Sequence, residues 1–435
     1  MNLQFNRNRR RDGGALVFTI LTVAVLCFLM ASYLSLVGAT NQSSFRSLAW
    51  NSAIPVVEAG IEEALAHLNK NGSVSLIADG WTQDSSGYSK RLQLGDAETY
   101  SQTHISLNTP RVIQAQGFVR VPLSAWNYVS RKVEVNTRLD SLFTKALASK
   151  SQVDLHGNNL RVDSFNSVNP SFSTGGLYDP YKSEQKGDIA ATAGLVNSQN
   201  IGSAEVYGNI ATGPGGTVAL GTQGLMTGTV TDDMNVTFPD VERPFATAPS
   251  PSFGMFTPPS GHDHDRNGSG GGYTLVLSSG DWQINGNLSM SGSYGHILVT
   301  GNARLLVTGD VNLTSTAAIE IATNATLKLY VGGATAILGG TGIVNDGGNA
   351  SQFQYYGLPT NTRVDYQGTT PFTGVIYAPN ADLTLGNGGS NTYEFVGAAT
   401  TKSTTLNGHH NMHYDENLSH SAPFRGYVAV SWNEI

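Results

Sequence analysis

Apolar residues fill one unbroken stretch near the start of the chain. No charged residue occurs across Gly13 to Phe45, and Ala15 to Val37 is almost entirely apolar. As a helix the apolar run spans roughly 35 Å, enough to cross the hydrocarbon layer of a bilayer. Four arginines in residues 7–11 predict a cytoplasmic leader of residues 1–12, with the rest of the chain outside. The residues assigned to this retained membrane anchor are Ala15, Leu16, Val17 and Val37.

The helix is predicted to continue beyond the membrane and to occupy residues 13–72. Apolar residues recur there at spacings of three and four, which predicts one face packed on a globular domain. Asn71-Gly72 is a stop signal, and Pro55 is expected to kink the helix or divide it. The predicted packing residues are Ile54, Val57, Ile61, Ala64, Leu65 and Leu68.

The pattern then changes to short alternating runs, which predicts strands over residues 73–148. The strands are expected at Thr103–Leu107, Val112–Val121 and Arg131–Leu139. A short helix over Ser141–Ala148 is expected to close this small sheet.

Residues 149–435 have a different texture, in which an apolar residue, any residue, Gly and a polar residue recur in that order. Each copy is a strand end followed by a turn. Sides of about eight residues and coils of about 23 predict a mainly β, Gly-rich parallel β-helix, with a β-sandwich as the alternative. The Pro- and Gly-rich residues 238–272 lack periodicity and are interpreted as an excursion within this domain. The phrase occurs at Leu155–Asn158, Val206–Asn209, Ile284–Asn287, Val299–Asn302, Val307–Asp310 and Leu406–His409.

Two N-terminal motifs carry a resemblance to a known family. Residues 13–17 (GGALV) follow the basic leader, and residues 58–65 (EAGIEEAL) lie on the extended helix. Together they resemble the N-terminal region of PilX-type minor pilins over roughly the first 70 residues. The resemblance implies processing by a prepilin peptidase at Gly13 or Gly14. It implies a pilin-like component, minor pilin or pseudopilin, of a bacterial type IV pilus or type II secretion-like apparatus.

One departure from that family affects the predicted role. Major pilins carry a glutamate at the fifth mature position, which pairs with a neighbouring N-terminal amine. Here that position holds Phe18 or Thr19, depending on the cleavage site. The chain is therefore expected to be a tip or initiating subunit of the filament. The expected partners are pilins or pseudopilins, the pilus assembly machinery, inner-membrane lipid, and a surface glycan or protein ligand.

The C-terminal part carries a second resemblance. Residues 374–381 (GVIYAPNA), then Gly397-Ala398, then residues 413–418 (HYDENL) resemble an uncharacterised β-helical domain found behind PilX-type N-termini. That resemblance implies architecture and location, with no known activity. The alternative function is a membrane-tethered β-helical protein that binds or processes carbohydrate without a filament role.

Composition narrows the function further. Charged residues make up 13% of the chain and the net charge is −7, so no nucleic-acid partner is expected. The single cysteine, Cys27, lies in the apolar run, so no disulfide is expected. Asp232-Asp233 is a lone acidic pair without the surrounding His, Arg and Lys of polygalacturonase-like enzymes. These features predict a non-enzymatic protein.

Two groups of residues are candidate metal ligands. Asp263, Asp265 and Asn267 precede a glycine in the spacing of a calcium loop, but Thr274 replaces the expected glutamate. Calcium is therefore the one cofactor that the sequence indicates. The alternative is that these residues bind no ion and form a solvated linker. On a strand, His409, His413 and Asp415 would share a face and could bind zinc or copper. The alternative is a polar terminal coil whose histidines are hydrogen-bonded.

Overall fold

The computed structural model describes most of the chain in ordered elements, and the chain folds into two compact units. One unit is Met1–Leu139 with Gly426–Ile435, and the other is Asp140–Arg425. Strands make up 47% of the chain, which confirms a mainly β protein. The described residues are 12–71, 76–95, 98–122, 127–156, 160–195, 197, 199–256, 272–292, 295–386, 392–407, 410–420 and 424–435.

A long α-helix, α1, runs from Asp12 to Asn71, close to the predicted limits. Pro55 lies inside α1 and does not divide it, contrary to one expectation. Proline removes one backbone donor, whose acceptor would be the carbonyl of Asn51. Asn51 is exposed, so water can bond that carbonyl in place of the missing donor.

The C-terminal part of α1 packs on a small antiparallel sheet. The core between them contains Val57, Ile61 and Leu68 from α1. Ile54 and Leu65, predicted on the same stripe, are only partly buried at its margin. The strands of this sheet that precede the larger unit are β1 Thr82–Gln83, β2 Gly87–Gln93, β3 Tyr100–Ser106, β4 Val112–Arg120 and β5 Tyr128–Ser141.

Two glycines set how closely the helix approaches the sheet. A Cβ at Gly60 of α1 would meet the Ser101 and Thr103 hydroxyls of β3. A Cβ at Gly117 of β4 would lie 2.6 Å from the carbonyl oxygen of Ala53. Packing therefore requires a glycine at position 60 of the 58–65 motif, because any side chain there would push α1 away from β3.

The larger unit consists of many short strands. Short 3₁₀ helices interrupt them at Pro180–Lys182, Ala350–Gln352 and Glu416–His420. The strands are β6 Leu147–His156, β7 Arg161–Phe165, β8 Ile189–Ala191, β9 Gln199–Gly202, β10 Glu205–Val206, β11 Ile210–Ala211, β12 Val218–Leu220, β13 Leu225–Met226, β14 Val230–Thr231, β15 Phe253–Phe256, β16 Tyr273–Leu277, β17 Gly280–Ile284, β18 Leu288–Ser291, β19 His296–Val299, β20 Asn302–Val307, β21 Val311–Thr314, β22 Ala318–Ile321, β23 Thr326–Val331, β24 Thr335–Leu338, β25 Gly342–Asn345, β26 Phe353–Gly357, β27 Arg363–Tyr366, β28 Phe372–Leu385, β29 Tyr393–Asn407 and β30 His410–Asp415.

These strands pair in parallel and stack one turn of chain on the next. β17 pairs with β20, β20 with β23 and β23 with β26. Paired residues lie 23 or 24 positions apart from β17 to β23, as in Arg304–Asp281 and Thr326–Asn302. The spacing is 20 between β10 and β13 and reaches 28 between β24 and β27. Antiparallel pairing, which a β-sandwich requires, is confined among the described strands of this unit to β15 with β16. The core is a continuous column of Leu, Ile, Val and aromatic side chains.

The chain enters this stack in the middle. β6 pairs in parallel with β8 and β9 on one side and with β29 on the other. The chain first winds from β6 to β14, which forms one half of the stack. It then crosses back and winds from β16 to β30, which forms the other half, and β30 pairs with β7. Part of the predicted excursion forms this return, and its Pro239 carbonyl accepts a hydrogen bond from the Tyr377 hydroxyl at 2.6 Å.

Two sequence-based assignments at the ends of this unit differ from the structure. The helix predicted over Ser141–Ala148 is wrong: β5 ends at Ser141 and β6 begins at Leu147. Leu147 and Ala148 pair with β8 and β29, and these ladders override a modest helical propensity. The sequence pattern predicts the last strand, β31 (Phe424–Glu434), in the larger domain. In the structure it lies beside β5 in the small sheet.

Candidate functional site

The exposed apolar part of α1 is the first candidate site. Leu16, Phe28 and Leu36 expose 63%, 75% and 65% of their surface, so nothing in the described chain covers them. By length and composition this helix can cross a membrane. Gly13 and Gly14 lie in its first turn, and Ala15, Leu16 and Val17 follow them on an exposed surface. Val37 is partly buried.

A charged cluster with a buried centre, Asp163 and His413, lies where β7 meets β30, at the joint between the two halves of the stack. His413 of β30 pairs directly with Asp163 of β7. The His413 Nδ1 lies 2.5 Å from Asp163 Oδ1, and Nε2 lies 2.5 Å from Glu394 Oε2. Arg161 Nε and the Tyr178 hydroxyl donate to Asp163 Oδ2 at 2.7 and 2.9 Å. We call these five residues the joint cluster.

The cluster favours a protonated imidazole. Burial lowers the pKa of His413, but hydrogen bonds and charges from Asp163 and Glu394 outweigh burial and raise the pKa above its usual value. Burial raises the pKa of Glu394, and the contact with His413 lowers it by more. The Tyr178 ring stacks on the imidazole at 3.6 Å between centroids. The arrangement is a carboxylate–imidazolium–carboxylate bridge, closed on one side by an aromatic ring.

The other residues of the H-Y-D-E motif, residues 413–416, also bond to the first half of the stack. The Tyr414 hydroxyl donates to the Phe143 carbonyl at 2.8 Å. Asp415 Oδ1 accepts from the backbone N–H of Ser167 at 3.1 Å, and Glu416 accepts from Lys186 at 2.7 Å. All four motif residues therefore bond the last turn of the larger unit to residues from its first turns.

Metal binding by His413 and Asp415 does not fit this geometry. The two ring nitrogens of His413 are engaged by carboxylates, and Asp415 bonds backbone amides. Among the described residues, no group of three or more His, Cys, Asp or Glu side chains is arranged to hold a metal ion. His409 and the calcium candidates Asp263, Asp265 and Asn267 lie outside the described residues.

A second polar site was missed by sequence reasoning. An open depression of about 410 Å³ lies on the small sheet, lined by residues of β1–β5 that include Arg91, His104 and Lys132. Its signal in the sequence is the polar half of each alternating strand. Buried neighbours such as Ile105 and Val133 pack on α1 from the opposite face.

Comparisons with known proteins match only the C-terminal part of the chain. No curated protein matches the chain, and no solved structure matches it. The H-Y-D-E motif lies near the end of the matched region, whereas its partners Phe143, Asp163 and Lys186 lie before that region begins. Residues 260–421 are similar to a family described only as a domain of unknown function (DUF7305).

Proposed function

We propose that this chain is a non-enzymatic, pilin-like subunit of a type IV pilus or a type II secretion-like apparatus. In this role α1 anchors the chain in the inner membrane before assembly and packs among neighbouring helices afterwards. The larger unit is then carried outside the membrane as a binding or spacing module.

The observation that carries this proposal is the division of α1 into two surfaces. Residues 16–36 present apolar side chains that the described chain leaves uncovered. Further along, Val57, Ile61 and Leu68 are buried on the antiparallel sheet. A long helix with one free apolar half and one half fixed to a small sheet suits a subunit that moves from a bilayer into a helical bundle.

The larger unit supports a β-helix as its architecture. From β16 to β27 the parallel ladders join residues 22 to 28 positions apart, and the interior is a continuous apolar core. Stacked parallel turns of similar length are the defining pattern of a parallel β-helix. We infer this fold rather than a β-sandwich.

Two features favour a position at the tip. Phe18 or Thr19 stands where major pilins have a carboxylate, and a tip subunit has no neighbour above it to pair. In addition, the unit Asp140–Arg425 would crowd the shaft if every subunit carried one. We therefore propose a low-copy tip or initiating subunit.

Fractionation of sheared filaments tests this role. We expect trace amounts of the chain relative to a smaller major pilin, with immunogold label at filament ends. Label spread along the filaments would contradict the tip position. Retention in the inner membrane without any pilin would contradict the filament role and favour the membrane-tethered carbohydrate protein.

A matched pair of variants separates the helix from a general effect of charge. Leu26→Arg places a charge in the exposed apolar run, at a cost of about 3 kcal/mol near a bilayer centre. It should reduce both membrane retention and filament incorporation. Gln42→Arg adds the same charge beyond the run and should leave both nearly unchanged. Equal behaviour of the two variants would contradict a role for the apolar surface.

A further inference from the structure

The outer face of the small sheet has no layer of the described chain upon it. Side chains alternate along each strand, so Tyr88, Ile105 and Val133 pack toward α1 while their neighbours face the opposite way. The depression of about 410 Å³ lies on that opposite face. It therefore belongs to the sheet surface and not to the core.

Strand register places the outer side chains in two rows across four strands. One row joins Ser89, His104, Gln114 and Glu134. The other joins Arg91, Gln102, Gln116 and Lys132. The second row thus carries two amides between two cations, with its ends three strand spacings or roughly 14 Å apart.

The charge of this face is locally positive in an acidic chain. Lys90, on the side of α1, is neutralised by Glu63 at 2.8 Å. Arg91 and Lys132 form no ion pair with any residue that the structure describes. Glu134 accepts a hydrogen bond from Gln114 at 2.8 Å. The outer face therefore carries two cations in one row and one carboxylate, Glu134, in the next, an excess of one positive charge, whereas the whole chain has a net charge of −7.

An aromatic platform borders the same rows. Tyr100 and Phe118 occupy the next outward positions on β3 and β4, and their rings stack at 4.8 Å. The Arg91 guanidinium lies 3.6 Å from the centre of the Tyr100 ring. The Tyr100 ring, stacked by Phe118 and by Arg91, therefore holds the guanidinium in place on this face. Glutamine side chains both donate to and accept from hydroxyls.

We propose that the outer face of β2–β5 binds an acidic oligosaccharide, a chain of sugar rings that bear carboxylates. Arg91 and Lys132 pair with the carboxylates, and Gln102 and Gln116 bond the hydroxyls. An acidic peptide fits less well, because extended peptides add to a sheet edge and this site lies across the middle of the strands. The proposal goes beyond the filament role and does not depend on it.

Titration of the full chain in detergent with a short oligogalacturonate tests the site. The acid should bind, and the affinity should fall as salt screens the charges. The methyl ester of the same oligomer, which lacks the negative charges, should bind about tenfold more weakly or worse. Equal binding of the acid and its ester would overturn the proposal.

Variants locate the binding on this face. Arg91→Gln together with Lys132→Gln should weaken binding of the oligogalacturonate at least about tenfold, since two charge-assisted contacts are lost. Lys328→Gln changes one charge on β23 of the larger unit and should leave binding unchanged. Both proteins should keep the parent melting temperature, because these side chains face solvent.

Two results would overturn the assignment. One is unchanged binding in the double variant that still melts normally. The other is poly-glutamate that competes as strongly as oligogalacturonate at equal charge, which would identify a site for acidic peptides.

Discussion

At the scale of single residues, Gly117 limits how close β4 comes to α1. A Cβ there would lie 2.6 Å from the Ala53 carbonyl oxygen and 3.0 Å from the Val57 nitrogen. Both are backbone atoms of a long helix, which cannot move aside as the end of a flexible side chain can. A substitution must therefore displace α1 from the sheet.

Gly117→Ala should lower the free energy of unfolding of the small unit by about 2 kcal/mol, the usual cost of forcing extra volume into a packed core. Chemical denaturation followed by a probe in the small unit measures the change. Gly254→Ala, in β15, is the matched control, because a Cβ there would make only ordinary contacts at 3.6 Å. Equal stability of the two variants would contradict the packing role of Gly117.

His413 is the residue whose protonation matters most to the joint cluster. Its pKa is raised in the folded chain above the usual value of 6.5, so the folded state binds the proton more tightly than the unfolded state. The resulting stability is fully present below pH 6.5 and is lost as the pH rises through the raised pKa.

We therefore expect the larger unit to become less stable from pH 6.5 upward. His413→Gln should cost about 2 kcal/mol at about pH 6, because the buried Asp163 loses its charged partner and keeps only the hydrogen bonds from Arg161 and Tyr178. The variant should also lose this part of the pH dependence. Denaturation curves at several pH values measure both effects. His420→Gln changes an exposed histidine and should retain the parent slope; a parent slope in His413→Gln would refute the assignment.

At the scale of elements, β31 completes the small sheet from the far end of the chain. It covers β5, and Arg131 donates to Glu434 through two nitrogens, one of them at 2.7 Å. Asn69 at the end of α1 also donates to the Tyr427 carbonyl at 3.0 Å. The final strand therefore stabilises both the sheet edge and the helix end.

Deletion of residues 424–435 should increase amide hydrogen exchange in β5 and at the end of α1. The strands β17–β24 should keep their protection, which provides a control within the same molecule. Mass spectrometry of exchanged peptides distinguishes the two regions. Uniform loss of protection across the chain would mean that β31 stabilises more than the small unit.

At the scale of the whole molecule, the chain combines one apolar helix with two separately built β units. The single long apolar run lies at residues 15–37, preceded by four arginines. Since arginine-rich flanks stay in the cytoplasm, both β units should lie on the other side of the inner membrane.

A C-terminal reporter that is active only in the cytoplasm should therefore be silent in cells, and a periplasmic reporter at the same point should be active. Deletion of residues 1–40 should release the chain from membranes into the soluble fraction, because the anchor is lost. Cytoplasmic reporter activity would contradict the orientation. Membrane retention of the deletion variant would mean that another surface binds lipid.

Local pattern by itself determined the helix, the three central strands of the small sheet and the repeating turns of the larger unit. Those features depend on side-chain periodicity and on residues such as glycine, whose preferences act over a few positions. The sequence also shows the H-Y-D-E motif, but not the residues to which it bonds.

Tertiary structure alone decided the features that join distant parts of the chain. It placed β6 in the middle of the stack, turned Ser141–Ala148 away from a helix, and returned β31 to the small sheet. It also brought Asp163 to His413, 250 residues away, and aligned Arg91 with Lys132 across four strands. Hydrogen-bonded ladders and buried charge pairs form between residues far apart in sequence, so no local pattern specifies which strands or side chains will meet.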